Sequence, residues 1–518
     1  MTDITLQLPP HRAASLEQLR REAARAIGTD ANQIGHIIIT RRSIDARHGH
    51  VRYNIGLRVL MADEPIPAPP PAPTYRNVRN ATPVVVVGAG PAGLFAALRL
   101  IEFGYRPIVL ERGKCVCERK RDVATLCRNA GLNPESNYAF GEGGAGTFSD
   151  GKLFTRSKKR GNHHKILHVL CHHGASPTIL FEAHPHIGTD KLPLIISAIR
   201  QTIEEHGGQI IFNARMHKLL LNSQRATGVE LSDGQRIEAA AVVLATGHSA
   251  HDVYEMLQQQ GVELQQKPFA MGLRVEHPQS LIDHIQYHGQ PRGELLPAAS
   301  YALVEQIDGR GVYSFCMCPG GFIVPASTSS DGLVVNGMSP SRRNSPYANS
   351  GIVVELREAD TQQFAAHGAL AGLALQRQLE QMAQQHSNGG STAPAQRLSD
   401  FVQGKASSSL PRCSYMPGVV PSELSQWLPN VLNNRLRQGF AAFNRKMRGF
   451  VTNEALVVGV ESRTSSPVRI PRNPQTLQHV AIAGLFPAGE GAGYAGGIVS
   501  SALDGDRCAE AVAQYLAS

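Results

Sequence analysis

The sequence predicts an α/β protein: a parallel sheet wound with helices, interrupted by an inserted mixed α+β domain and preceded by a small β-α-β-β domain. Three observations carry that prediction. Residues 84–110 read as strand, glycine turn, helix and strand, close to the ~30 residues of a βαβ unit. Residues 260–475 lose that rhythm and show short strand patterns around one long helical stretch at 361–386. A proline-rich run, PIPAPPPAP at 65–73, sets the first 62 residues apart and reads as a semi-rigid linker.

The stretch TPVVVVGAGPAGLFAALRLIEFGYRPIVLERG at 82–113 anchors the chain. Residues 84–87 are a β-branched run suited to a buried strand. Gly88, Gly90 and Gly93 then form G-x-G-x-x-G, with Pro91 and Ala92 between them. The first glycine permits a tight turn, the second lets the backbone approach a pyrophosphate, and the third lets helix pack on strand. A helix over 92–103 aims its free N–H groups at the phosphates, and Gly104 stops it. The strand 108–110 ends at Glu111, about 20 residues past the glycines, where a carboxylate meets ribose hydroxyls. The whole set predicts a Rossmann-type dinucleotide site. Arg112 and Gly113 after the acid turn the choice toward FAD, by similarity to FAD proteins of the glutathione-reductase type.

A second glycine loop, NYAFGEGGAGTFSDGK, occupies 137–152. Dense glycine lets backbone approach a flat ligand, and Gly146, Thr147 and Lys152 are its expected contacts. Phe140 and Phe148 argue against a flexible linker, which lacks aromatics. Met216, near the start of a strand at 215–221, is a further expected cofactor contact. A hairpin near 232–234 is expected to return into a strand at 240–245, which ends at Thr246 and Gly247 beside the cofactor. PAGEGAGYAGGI at 487–498 then repeats strand, glycine loop and helix, completing the site with Gly489, Glu490, Gly496, Gly497 and Ile498. Glu490 is expected on the ribityl chain. The last helix is expected to point its N–H groups at the flavin pyrimidine edge, where a helix end stabilises negative charge by roughly 0.3–2 kcal/mol.

These readings give five segments: 1–62, the small domain; 63–80, the linker; 81–260, the first part of the FAD-binding domain; 261–475, the inserted substrate or cap domain; and 476–518, the C-terminal part of the FAD-binding domain. In the first segment, Ser15 and Gln18 form a capping box, Gly28 closes the helix, and strands fall at 3–8, 36–40 and 51–59. The pattern is that of a ferredoxin-like half. It holds nine basic and five acidic residues. No aromatic RNA-binding signature accompanies that charge, so a solvated or docking face is expected rather than nucleic acid.

The chain of 518 residues has net charge +9, and its eight cysteines suit free thiols better than a disulfide framework. It shows no apolar run of membrane-spanning length and no basic-then-apolar leader, so a cytoplasmic protein is expected. His164, His168 and His172 share a helical face, but apolar residues lie opposite and no carboxylate joins them, so no metal is expected.

Several residues are candidates for chemistry. Cys316 and Cys318, at i and i+2 of a strand, would share a face about 6.6 Å apart, near the outer limit for a disulfide. They line a flavin-facing pocket or serve as small core hydrophobes. His186 is a substrate-side acid or a satisfied core histidine. Arg463, with Arg469 nearby, binds a substrate carboxylate bidentately or pairs with acids of the chain. The further glycine patterns at 141–146 and 491–496 fall within the loops already assigned to FAD, so no dedicated NAD(P)H domain is expected and NAD(P)H would dock only transiently as electron donor. A Cys-x-x-Cys or Cys-x4-Cys pair is missing too, so a glutathione-reductase-like mechanism is not expected.

The chain resembles a bacterial family of FAD-dependent dehydrogenases of unassigned reaction. The resemblance rests on SIDAR at 43–47, GAGPAGLFAA at 88–97, FGEGGAGTFSDGKL at 140–153, PHIGTD at 185–190 and LATGHS at 244–249. It continues through FCMCPGG at 315–321, NGMS at 336–339, ESRTSSPVRI at 461–470 and PAGEGAGYAGGI at 487–498. It implies one FAD, a ferredoxin-like N-terminal domain and a cytoplasmic flavoprotein. The expected function is an FAD-dependent oxidoreductase acting on a small molecule, with an unidentified electron-transfer partner. The alternatives are a non-catalytic flavoprotein or binding protein on the same fold, and, from the basic N-terminal domain alone, an RNA-modifying flavoenzyme.

Overall fold

The computed structural model describes residues 1–47, 49–68, 70–154 and 161–518; Pro69 of the expected linker lies outside them. The β-branched strand Pro83–Val87 sits at the centre of a five-stranded sheet. The sheet runs Leu485–Pro487, Val242–Leu244, Pro83–Val87, Arg106–Leu110, Gln209–Ile211, and every pairing is parallel. Val84, Val85 and Val86 are fully buried, as a parallel strand requires cover on both faces. Helices Pro91–Phe103, Leu192–Glu205 and Ile498–Ala517 cover one face. A separate antiparallel sheet and the helix His251–Gln259 cover the other.

That separate sheet corrects one expectation. Arg225–Leu231 pairs with both Met216–Asn222 and Arg236–Glu238. The chain then leaves the hairpin, and the strand that follows, Val242–Leu244, joins the parallel sheet instead. Two glycines let helix 91–103 pack closely against its neighbours. A β-carbon at Gly93 would lie 1.8 Å from the Gly88 carbonyl oxygen, and one at Gly505 would lie 1.9 Å from that of Ala92. Helix 91–103 is thus wedged between its own turn and the C-terminal helix.

The second layer is a seven-stranded sheet with the order Val304–Ile307, Arg310–Cys318, Tyr347–Leu356, Phe269–Pro278, Leu456–Glu461, Ala393–Arg397, Val419–Pro421. Phe401, Phe440, Phe443 and Phe450 fill its core and are fully buried. The chain enters and leaves this layer side by side, because Gln265–Gln266 pairs with Val468–Arg469. The single helix expected over 361–386 is shorter, Ala371–Gln385. Gly368, at φ 58° and ψ −127°, breaks it, and short 3-10 turns precede the break.

In the N-terminal segment the helix Leu16–Ile27 is capped by Ser15, whose hydroxyl accepts from the Gln18 amide, and Gly28 closes it in the left-handed region. Thr2–Leu8, Arg52–Met61 and Ile34–Asp45 form an antiparallel sheet with Arg52–Met61 in the middle. Ile34–Asp45 runs well past the expected 36–40 because it pairs with Arg52–Met61 as far as Asp45 opposite Arg52, and its far end has further partners. The Arg42 amide donates to the Phe181 carbonyl at 2.8 Å, and the Ala183 amide donates to that of Arg42 at 2.9 Å. Val51 belongs to the core of the seven-stranded layer, with Ile44, Ala46 and Tyr53 packed against it. This hairpin end is therefore built into the larger body.

Candidate functional site

A cavity of about 790 Å³ runs along the carboxyl ends of the parallel strands and reaches into the seven-stranded layer. Its first wall is made by helix ends. Helix 91–103 starts at Gly90 and helix 498–517 at Gly497, and neither has a side-chain cap. The N–H groups of an uncapped first turn have no partner within the helix. Pro91, Ala92, Ile498, Val499 and Ser500 all line the cavity, so two positive helix ends open into one space and favour anions there. Gly90 and Gly144 face each other: a β-carbon at Gly90 would lie 3.9 Å from the Gly144 Cα, with no other heavy atom within 4 Å. A pyrophosphate flanked by flat rings fits such a space, in charge and in the room left by missing side chains.

Glu111 lines the cavity yet is only 4% exposed. Its carboxylate accepts from the amides of Ala89 (3.0 Å), Gly113 (2.9 Å) and Gly141 (2.9 Å). It therefore joins the first glycine turn, its own strand end and the second glycine loop, and a carboxylate with about four acceptor positions keeps capacity for a hydroxyl. Arg112 lies over the Phe140 ring, 4.1 Å from its centroid, and pairs with Glu135 (2.7 Å) and Asp252 (2.9 Å).

The second glycine loop is held by a residue the sequence reading missed. Arg119 is fully buried and donates to the carbonyls of Asn137 (2.9 Å), Tyr138 (3.0 Å), Gly141 (3.2 Å) and Glu142 (2.7 Å). Burial pushes its guanidinium down to about 10, against the pull of Glu111 and Glu142. The signal was available: Val116, Arg119, Val123 and Leu126 form the buried stripe of helix Val116–Cys127, which places an arginine on an apolar face. At the other end, Asp504 accepts from the Gly489 amide at 2.8 Å and is paired with buried Arg472.

Gly88, Gly90, Pro91, Ala92, Glu111, Arg112, Gly146, Lys152, Met216, Thr246, Gly247, Gly489, Glu490, Gly496, Gly497 and Ile498 line the cavity. Two expected contacts lie elsewhere. Gly93 packs the helix on the strand turn, and Thr147 is buried with its hydroxyl donating to the Glu142 carbonyl at 2.7 Å.

The far end of the cavity is lined by Lys152, Phe315, Cys316, Asn336, Arg463 and His248. Cys316 and Cys318 do not sit on a regular strand face. Pairing with Tyr347–Leu356 slips between Phe315 and Cys318, and Cys316 takes φ 48°. This bulge re-aims both thiols at one cation: Lys152 Nζ is 3.8 Å from the Cys316 sulfur and 3.7 Å from that of Cys318. Cys318 itself is buried behind Cys316. Arg274, fully buried, donates to the Cys316 carbonyl (2.9 Å), the Cys318 sulfur (3.8 Å), Asn349 (2.9 Å) and Glu461 (2.5 Å). Hydrogen bonding from Cys318 holds the Cys316 thiol well below its ordinary range against the cost of burial, with help from Lys152 and Arg274. The same bond and burial push Cys318 well up. Burial works against the Lys152 ammonium, but both thiols and Asp150 outweigh it, so its pKa is raised.

The other candidates are engaged with the protein itself. His186 does not line the cavity; its Nε2 contacts the Ser341 carbonyl at 3.1 Å, and burial with Arg343 nearby lowers it. Its backbone pairs with that of Lys152, so it helps set where Lys152 stands. Arg463 reaches the cavity, but one edge of its guanidinium is bidentate on buried Glu380 (3.0 and 2.8 Å) and its Nη1 donates to the Thr328 hydroxyl at 2.8 Å, so it is held mainly by acid and hydroxyl of the chain. Arg469 is exposed and lies near the Tyr494 ring. His248, which the sequence reading passed over within LATGHS, lies 3.6 Å from Glu490. Its burial disfavours the charged form, and Glu490 outweighs that and raises it. His164 and His172 are exposed or half-buried at the helix surface, as is His168.

Comparison with known proteins agrees with this geometry. A family described as "FAD binding domain" matches residues 81–145, one described as "FAD-dependent protein, C-terminal domain-like" matches 268–464, and a domain of unknown function matches 1–60. Among solved structures, a flavocytochrome c3 fumarate reductase in its open conformation is 14% identical over 85% of this chain and 79% of that one, at a TM-score of 0.36. A geranylgeranyl bacteriochlorophyll reductase-like protein of Thermoplasma acidophilum is 11% identical over 84% and 79%, at 0.34. Likenesses this slight say nothing of reaction or substrate. An uncharacterized protein of Clostridium beijerinckii is 38% identical over 524 aligned residues, covering 96% of this chain and 95% of that one. The chain belongs to the family of that Clostridium protein, a family of FAD-dependent proteins of unassigned reaction, and FAD is its cofactor.

Proposed function

We propose that the protein is an FAD-dependent oxidoreductase whose second substrate is a small molecule held at the Lys152–Cys316–Asn336 end of the cavity. One observation carries this reading: a single cavity runs from the glycine loops to a thiol and an ammonium group. When bound, FAD supplies two-electron transfer. The residues supply the rest. Gly90, Gly144 and the two helix ends bind the pyrophosphate and the electron-rich ring edge. Lys152 stays protonated and offers positive charge and a proton at its Nζ. Asn336 is fixed through its Oδ1 by Arg274 at 3.2 Å, which leaves its amide nitrogen for a ligand. A nicotinamide donor docks transiently, since the sequence holds one complete βαβ fingerprint with its acid, at 84–111, and the other glycine patterns belong to the same FAD cavity.

Anaerobic mixing of the holoprotein with NADH and with NADPH tests the reading. Bleaching of the oxidised flavin by one of them is expected. Holoprotein that neither donor bleaches would remove the nicotinamide from the proposed reaction. Lys152→Met should retain FAD yet lower turnover by about 10²-fold, the usual cost of losing one charged group aimed at developing charge. Unchanged turnover would show that the reacting end lies elsewhere.

A further inference from the structure

We propose that Cys316 and Cys318 are a redox-active dithiol that closes to a disulfide, and that the substrate class of the site is a low-molecular-weight disulfide reduced at Cys316. This rests on the oxidoreductase reading above and deepens it. The bulge turns both sulfurs onto Lys152, within 3.8 and 3.7 Å of Nζ. Of the two, Cys316 lines the cavity; Cys318 lies behind it with no exposed surface. One sulfur is thus presented to an incoming ligand, and the other is held where it reaches only its neighbour. Arg274 fixes Cys318 from the inner side and is itself fixed by Glu461 and Asn349. The charge around the pair favours a thiolate at Cys316 and a thiol at Cys318. A thiolate is the attacking form in disulfide exchange. A purely structural pair of buried cysteines needs no ammonium group at its sulfurs.

In the first step the Cys316 thiolate attacks one sulfur of the small disulfide. The substrate S–S bond breaks, and one half leaves with the bonding pair and takes a proton from Lys152. Cys318 gives its proton to the now neutral Lys152 and attacks the Cys316 sulfur, forming the intrachain disulfide. The second half leaves as a thiolate and is protonated by water. The pair has lost two electrons, and the small disulfide has become two thiols. One hydride equivalent from a nicotinamide donor, passed through the flavin, restores thiolate and thiol.

The test uses holoprotein and hydroxyethyl disulfide. After exposure and quenching by alkylation, the tryptic peptide 311–342 is weighed; it contains Cys316 and Cys318 and no other cysteine. The expected product has lost two hydrogens and carries no alkyl group. In Cys318→Ser the probe should stay attached to Cys316. In Lys152→Met, alkylation of Cys316 at neutral pH should slow by roughly tenfold or more, with its pH profile moved upward. A wild-type peptide that keeps both thiols, or holds the probe as a stable adduct, overturns the proposal whether or not the variants fold. The readout does not depend on flavin turnover. Failure of both nicotinamides to bleach the flavin would strike the function proposed above and leave this result standing. A silent peptide in protein that does turn over would strike the dithiol alone.

Discussion

At Gly90, an added β-carbon would meet only the Gly144 Cα, at 3.9 Å. The position is empty of protein because the cofactor uses the room. Gly90→Val should therefore fold normally, with an unchanged far-ultraviolet spectrum, but retain FAD at least tenfold less tightly, about 1.4 kcal/mol or more. Full flavin content in the variant would mean that the pyrophosphate lies elsewhere. Arg119 makes the opposite prediction. Its loss strands the buried carbonyls of Asn137 and Tyr138 and removes one donor each from those of Gly141 and Glu142, so Arg119→Met should cost about 3 kcal/mol or more in denaturant unfolding, with the flavin lost as the glycine loop relaxes. The first of these residues was legible in the sequence because a glycine motif states its own reason. The second was legible only as a misfit, a charge on an apolar stripe whose partners lie in a loop of no regular pattern.

Among the elements, the strand Phe269–Pro278 carries two neighbouring buried groups with opposite pH behaviour. Burial raises Glu276 to about 7, against hydrogen bonds from Ser414. Burial lowers His277 to about 4, against its bond to the Phe450 carbonyl. The folded state holds a proton on Glu276 that the unfolded chain releases at the ordinary 4.5. That contribution is full below about pH 4.5 and is lost as pH rises through about 7, amounting to roughly 3 kcal/mol. His277 works the other way, and its penalty appears as pH falls from 6.5 toward 4. Glu276→Gln should accordingly gain stability relative to the wild type between about pH 5 and 8 in urea titrations; parallel curves would contradict this. Elements are also where periodicity misled. A period of two placed Cys316 and Cys318 on one regular face, but a bulge is set by pairing partners distant in sequence and leaves no mark in the strand itself. The helix over 361–386 failed for a local reason, a glycine that the apolar pattern passed over.

For the whole molecule, the sequence already showed the order of parts: the βαβ unit, the interrupted middle and the glycine-rich return at the C-terminus. The docking of the first segment was not visible, because proline-rich linkers say nothing about what the flanking domain touches. The described residues of 1–80 contribute nothing to the cavity wall, yet Val51 is buried in the large core and Arg42 exchanges two backbone bonds with residues 181 and 183. A chain beginning at Thr74 should keep its flavin and melt several degrees lower, since losing even about 2 kcal/mol moves the midpoint of a large domain by roughly 4–8 °C. Loss of flavin would place the small segment in the cofactor site. Three glycine-rich segments and two uncapped helix ends together make one FAD cavity, and every functional reading of the chain depends on that assembly. Releasing the chromophore of purified protein with heat or acid, and quantifying it by chromatography, puts the assembly to the test without any substrate. One non-covalent FAD per chain is expected; FMN, or well-folded protein with no flavin, would contradict it.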